Sequence, residues 1–528
     1  MKLIGMLTLA VLVSLFVIGC MSIPLGVPGE WLWPRQAFPT DVSEWADRFL
    51  SPVLFGAAVV AFCRFADCRI EGVRVLGKLS LIIGLVVAAF FWQRIVQHAS
   101  ASPHRELRPL WVLYDKYATG YFFITVFTQT TSSELIATYE ARMAQGDVLH
   151  EGTHPPGLLL MNRWALVATE RWRWLADLSR ATISPTSIRL FQQLEKQAGL
   201  ARSLTDSELS ALCLVSTLSC FLAASTVIPV FLMVARLGSF QMAWRAACLT
   251  LTAPSIAVFL PRSDVIYACS GAWLFLAIVL SLTARSNWSS GLWAAFGAFV
   301  LFKCLFFSLA HLPVLMAGGV FGLLAWQMSG TQGDVLTFRR LLLVASVAIT
   351  SFAAIVFVFD KITDCNMLTV WRWNLQNHES FYSTSVRTWW KWALVNPVEL
   401  AFSAGLPMAI VAFCQATRSA LGIFRGKVQG ERSLTNALLL AMVFTWCCLW
   451  LSGKNMGEAA RLWCFMTPWV AIAAGVSFGT LGCWSDSTCA VERKPATCST
   501  QLRWLITLGC QLAICVATNG LVTGYLEM

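Results

Sequence analysis

The sequence predicts an all-α protein that threads a membrane many times, and three observations carry that prediction. Hydrophobic residues make up 57% of the chain and charged residues only 13%, where a soluble chain carries about a quarter charged. Several apolar stretches approach the ~20 residues that a helix needs to cross a bilayer. The 24 Trp and 34 Phe suit aromatic belts where membrane helices meet water. Together these stretches predict about 12–14 transmembrane helices in one membrane-embedded domain, with interfacial helices in its outer loops. The formal net charge of +11 does not point to nucleic acid. The basic residues gather in loops, where positive-inside bias and contact with anionic membrane lipids account for them.

Taken from the N-terminus, Lys2 and the apolar run to Cys20 read as a signal anchor and first span. Val17-Ile18-Gly19-Cys20 also fits a loose lipobox, but a polytopic chain needs no lipid to stay in the membrane. Residues 21–50 form a loop rich in Pro, Gly and Trp. Apolar segments cover 51–66 and 77–97, and Arg64, Arg69, Arg74 and Lys78 gather between them, marking a cytoplasmic turn. The first long loop region is 97–156. Within it, 110–127 is apolar but interrupted by Asp115 and Lys116, so it reads as a partial span or an interfacial helix. Ser132 or Ser133 caps a short helix carrying Glu134 and Glu140.

The chain enters the membrane again over 156–168, and 170–208 is charged. Spans are predicted at 210–235, 246–260 and 265–284, with two more between 286 and 326 and another at 341–359. The segment 360–395 reads as a polar, aromatic-rich extracytoplasmic loop, followed by spans at 396–416, 435–452, 460–481 and 504–524. The basic loop with Arg418, Arg425, Lys427 and Arg432 belongs in the cytoplasm. Counting from it puts 360–395, 453–459 and Asp264 on the far side. The same count puts the basic 171–208 there too, against the positive-inside rule.

The 18 cysteines lie mostly within apolar runs, as small core residues. No CxxC spacing marks a zinc or iron–sulfur site. Cys483, Cys489 and Cys498 share one polar loop and can pair only in an oxidising compartment. No ligand spacing argues for a metal, although two acids converging from different loops leave room for a divalent ion.

The candidate chemistry centres on Gly146–Asn162, where a loop with two acids and two histidines runs into Pro155-Pro156 and then an apolar helix. A proline pair fixes φ and supplies no backbone donors, so it suits the entry to a helix. His154 at that mouth can steer an acid, donate to a phosphate or act as a base. Glu134 and Asp147 are candidate bases, with Glu140, Glu30 and Asp41 as alternatives. Asp264, in Pro261-Arg262-Ser263-Asp264, either snorkels as a boundary pair or places a carboxylate over a cavity. The run from Trp371 to Tyr382 carries Arg372, Asn377 and His378, groups that bind sugars and phosphates, or else an aromatic belt with a polar rim. Lys454, Glu458 and Arg461 sit at another membrane boundary. Glu458 and Arg461 are spaced to pair on one helical face, as a structural ion pair or as a phosphate clamp.

His154-Pro155-Pro156-Gly157 after an acidic loop resembles the His-Pro-Pro motif that opens a membrane helix in protein O-mannosyltransferases. The chain looks like a member of the broad superfamily of integral-membrane glycosyltransferases, of the GT-C type, that use polyprenyl-phosphate sugars. That resemblance implies a multi-span helical fold, an active site on the non-cytoplasmic side, an acid in the first long external loop as base, and a lipid-phosphate sugar donor. It departs from the mannosyltransferases at Gly157, where they have Leu, and in lacking both the following Lys and the paired Asp-Glu. The expected activity is inverting sugar transfer in a bacterial cytoplasmic membrane, facing the periplasm. The competing expectation is a transporter or flippase of a lipid-linked saccharide, which uses the same loops without bond chemistry.

Overall fold

The computed structural model describes residues 2–128, 130–146, 151–198, 202–329, 336–424, 431–480 and 498–524. Asp147 and His150, with Arg425, Lys427, Cys483 and Cys489, lie outside these described residues. The chain is helical almost throughout. Its first helices are α1 (Lys2–Gly19), α2 (Val42–Asp67) and α3 (Val75–Val96). A series of short helices follows: α4 (His104–Tyr114), α5 (Tyr121–Thr128), α6 (Ser132–Ala137), α7 (Tyr139–Ala144), α8 (Gly157–Arg171), α9 (Arg173–Ala181) and α10 (Pro185–Gln197). Then come α11 (Asp206–Ser225), α12 (Val227–Leu237), α13 (Phe240–Thr250), α14 (Pro254–Phe259), α15 (Ser263–Thr283), α16 (Asn287–Phe307), α17 (Leu312–Ser329) and α18 (Phe338–Thr363). The last group is α19 (Met367–Thr384), α20 (Trp389–Ala404), α21 (Leu406–Phe424), α22 (Glu431–Leu451), α23 (Ala459–Leu462), α24 (Thr467–Thr480) and α25 (Cys498–Leu521). A hairpin of two short strands, Gly26–Val27 against Trp31–Leu32, interrupts the loop after α1.

The expected all-α polytopic membrane fold is what the chain forms. Among the described residues, nine helices are long and apolar enough to cross a membrane, or ten if the bent pair α20 and α21 is one span. Two shorter apolar helices, Leu3–Gly19 and Cys464–Gly479, lie beside them. The count is below the sequence expectation for a physical reason. The predicted span at 246–260 is broken at Thr252-Ala253-Pro254, because Pro254 can open a helix but not continue one. The predicted entry at 156–168 becomes α8, which is too short for a full crossing. The apolar 110–127 splits into α4 and α5 around Asp115, whose carboxylate accepts from Tyr117 N at 3.2 Å.

Side-chain contacts define two ends of the bundle. At one end Arg245 of α13 makes two hydrogen bonds to Asp67 at the end of α2, 2.9 and 3.0 Å, and a third to Phe478 O of α24. Both charged side chains are buried, 1% and 0% exposed, and a buried pair holds only with such geometry. Arg236 at the end of α12 binds Thr283 at the end of α15. Arg340 at the start of α18 donates to Ala284 O at 2.8 Å.

At the other end Arg48 of α2 joins Ala99 O and Gly520 O, at 2.9 and 2.5 Å. Arg35 caps α1 by donating to Val17 O, Ile18 O and Cys20 O. Gln97 reaches Ala257 O of α14, so α13 and α14 together run from one end to the other. The starts of α15 and α20 and the ends of α16, α18 and α22 belong to this second end.

The basic 171–208 segment sits at the second end as well: Arg94, at the end of α3, donates to Thr182 O after α9. Part of its positive charge is neutralised locally, in Arg180–Asp206 and Arg202–Glu208 ion pairs of 2.8 and 2.7 Å.

Candidate functional site

The predicted helix mouth is built at this second end. Residues 151–153 form a single turn, His154 follows, and α8 starts at Gly157. A Cβ on Gly157 would lie 2.5 Å from Phe306 O and 3.0 Å from the Phe307 ring. Only glycine lets the start of α8 close this tightly onto the end of α16. The loop is held from two sides. Tyr139 of α7 donates its hydroxyl hydrogen to His154 O at 2.7 Å. Asn377 of α19, 5% exposed, donates to Met143 O and Gly152 O, both at 2.9 Å. Arg142 pairs with Glu151 at 3.0 Å.

The His154 ring faces Tyr121 of α5 edge-on, with ring centroids 5.6 Å apart, and its Nδ1 lies 3.1 Å from the Thr153 hydroxyl. Tyr121 is the meeting point of the predicted residues. It is buried, and its phenol is pushed well above the ordinary tyrosine range, first by burial and then by the neighbouring ionisable groups of Tyr267, Asp264 and Tyr139, with Arg461 opposing. His154, Asp264 and Arg461, from three distant parts of the chain, therefore share one polar neighbourhood. Asp264 lies in the first turn of α15, half-buried. Among the described residues its carboxylate has no hydrogen-bond or ion-pair partner.

Beneath Asp264 the sequence reading missed a second layer. Tyr267 packs edge-on against His311, centroids 5.1 Å apart. His311 Nδ1 is 3.0 Å from Ser308 O, a pure acceptor, so Nδ1 carries the hydrogen and Nε2 accepts from the Ser270 hydroxyl at 2.7 Å. A histidine and a tyrosine at the ends of apolar runs were the available signal.

Glu458 and Arg461 form the ion pair that their spacing predicts. Their segment turns sharply: Gly453, Asn455, Gly457 and Glu458 all have positive φ. A Cβ on Gly457 would meet Arg387 Nε at 3.2 Å and the Trp392 ring at 3.3 Å. Glu458, at φ 55°, is held in a conformation that a non-glycine residue adopts only when its surroundings over-determine it. Those surroundings come from α20. Asn396 donates to Asn455 O at 3.3 Å, and buried Glu399 accepts from Ala460 N at 3.4 Å.

The predicted loop 360–395 contains an 18-residue helix, α19, spanning both walls. Its start is capped by its own Asn366, whose backbone N–H donates to Glu140 at 2.6 Å, so Glu140 has a structural task. Trp371 donates to Leu305 O at 3.0 Å. Near its end Tyr382 accepts from Met456 N at 3.1 Å. His378 stacks edge-on with Tyr382, 5.8 Å apart, and its pKa is lowered by burial and then by Lys454. His378 and Lys454 thus stand together at the rim.

The other predicted residues lie apart. Arg372 is exposed and lines a shallow cleft of about 710 Å3 with Thr369, Trp373, Gln376 and Glu379. Glu134 is exposed in α6, its carboxylate without a hydrogen bond or ion pair among the described residues, while its backbone N–H is capped by Thr131 at 3.2 Å. Glu30 is fully committed. It accepts from Thr388 N, the Thr388 hydroxyl, Lys391 and Trp392 at 2.6–3.1 Å. Burial alone would raise its pKa; these donors outweigh it and hold the carboxyl down to about 2. Among the described residues no group of three or more His, Cys, Asp or Glu is placed to hold a metal ion.

The site is thus an array of Arg461, His154 and Asp264 around the buried phenol of Tyr121. Such an array can hold an anionic group and accept a proton beside it. No protein-family model matches the chain, and no curated protein matches it.

Proposed function

We propose that the protein transfers a sugar from a polyprenyl-phosphate carrier to an acceptor hydroxyl, with inversion at the anomeric carbon. The observation that carries this reading is the convergence of His154, Asp264 and Arg461 around Tyr121 at one end of the membrane bundle. Asp264 takes the acceptor proton as the new glycosidic C–O bond forms. The bond from the anomeric carbon to the phosphate oxygen breaks, and the lipid phosphate leaves with that electron pair. Arg461 and His154 stabilise the charge developing on the phosphate, and Glu458 holds Arg461 in place. We place the site on the periplasmic face of a bacterial cytoplasmic membrane. Glu134 and Asp147 are the alternative bases, and a divalent metal is not required by this step.

Sugar transfer by purified protein in lipid vesicles tests the reading. Asp264→Asn is expected to lower turnover about a hundredfold or more, the usual scale for losing general-base catalysis. Full activity in Asp264→Asn, Glu134→Gln and Asp147→Asn alike would refute it.

One observation favours a second reading. The helices α20 and α21 meet at 112° at Gly405, a broken span of the kind that lines transport paths. In that reading the same residues bind a lipid-linked saccharide and move it intact. Recovery of unaltered lipid-linked saccharide from the opposite leaflet, with no free lipid phosphate, would select it.

A further inference from the structure

The charged stretch after α8 holds a pattern that sugar transfer does not use. Arginine and tryptophan alternate: Arg163-Trp164 on α8, then Arg171-Trp172-Arg173-Trp174 where α8 passes into α9. Buried tryptophans are ordinary in a membrane bundle, but these are not buried. Trp164, Trp172, Trp174 and Leu178 are 56, 47, 65 and 56% exposed. The inner face of α9 is accounted for by buried Ser179 and by Arg180, which binds the Ser210 hydroxyl at 2.8 Å and pairs with Asp206. Its outer face presents Arg173, Trp174, Asp177 and Leu178, at the i and i+4 spacing that stacks side chains along one side.

The height of this face follows from α11 and α12. They form one apolar element of 32 residues, Asp206–Leu237, about 48 Å long at 1.5 Å per residue, against a hydrocarbon core of about 30 Å. Arg236 marks its far end. Counting back the ~20 residues that fill the core reaches Thr217. The Thr217 hydroxyl hydrogen-bonds that of Thr182, the residue that closes α9, at 2.6 Å. So α9 lies immediately above the hydrocarbon, at headgroup depth, where tryptophan prefers to sit. The guanidinium groups of Arg163, Arg171 and Arg173 make no hydrogen bond or ion pair among the described residues, and they outnumber the two exposed acids of this stretch, Glu170 and Asp177.

We propose that the junction of α8 and α9 is a docking collar for anionic phospholipid, with the tryptophans seated in the interface and Arg163, Arg171 and Arg173 on lipid phosphates. The collar does not depend on the glycosyltransferase reading. Because α8 also begins beside His154, lipid held at its far end bears on the position of the site.

Native mass spectrometry of the full chain, released from micelles with equal phosphatidylglycerol and phosphatidylcholine, tests the collar. The wild-type protein is expected to retain the anionic lipid preferentially. Arg163→Gln/Arg171→Gln/Arg173→Gln should weaken that preference by about fivefold or more, the scale of removing arginines from a charged surface. Equal retention of the two lipids by the wild type, or an unchanged preference in the variant, overturns the proposal. If the triple variant does not fold, Trp172→Phe/Trp174→Phe supplies the second measurement. Its tryptophan emission is subtracted from that of the wild type in vesicles of brominated phosphatidylglycerol or brominated phosphatidylcholine. Stronger quenching of the difference signal by the anionic lipid supports the collar, and equal quenching overturns it.

Discussion

Glu30 gives the most quantitative test of how the site's supporting loops are held. Its carboxylate is 6% exposed and accepts four hydrogen bonds from Thr388, Lys391 and Trp392. The folded pKa of about 2 lies below the ordinary 4.5. A folded pKa below the unfolded one means that the folded state binds the proton more weakly. The stabilisation is therefore fully present above pH 4.5 and is lost as pH falls towards 2. The full difference corresponds to about 3 kcal/mol. Glu30 lies close to the water-facing end and its Lys391 partner is 38% exposed, so solvent screening brings this to about 1–2 kcal/mol. Thermal unfolding of the detergent-solubilised protein should show Glu30→Gln melting below wild type at pH 7. The gap should narrow as pH falls from about 4.5 towards 2. A gap of constant size down to pH 3 would refute the argument, because it would show that the charge contributes nothing beyond the shape of the side chain.

The remaining predictions concern burial and close packing. Asp67→Asn strands the Arg245 charge in the interior and should cost about 3–5 kcal/mol, whereas replacing both partners with apolar residues of similar volume should cost much less; chemical or thermal unfolding of the three variants separates the cases. Asn377→Ala removes the side-chain donor to Gly152 O and to Met143 O, the latter keeping the Gly146 N–H at 3.2 Å, costing about 1–3 kcal/mol, and should raise the protease sensitivity around Gly152. Gly157→Ala places a methyl group 2.5 Å from Phe306 O and should cut turnover more than it lowers melting temperature, because it displaces the His154 turn without emptying the core.

Much of the fold was legible because hydrophobic length is a local property. The long spans announced themselves wherever an apolar run met no proline or charge. The breaks were also written locally, in Pro254 and Asp115, but a window of twenty residues averages over them. The candidate site was legible in part. His154, Asp264, Glu458 and Arg461 stood out as polar groups at the ends of apolar runs. What the sequence could not supply was partnership across distance. Glu30 looked like a free loop acid until Thr388, Lys391 and Trp392, more than 350 residues later, closed around it. Asp67 and Arg245 each appear as a boundary charge, and only their pairing makes either one structural. Tyr121, Tyr267 and His311 were passed over because single polar side chains in apolar segments are usually satisfied core residues.

The helix α19 grips the turn before His154 through Asn377 and the turn before Arg461 through Tyr382. A crossbar fixed at both ends removes one degree of freedom from the walls it joins. The two sides of the site cannot spread apart by separate loop motions; they rock together or α19 lets go of one of them. For the function proposed above, entry between them is expected from the flank, along the membrane plane, which among the described residues α19 leaves unbraced. For a molecule carried on a lipid tail, that is the direction from which it already arrives.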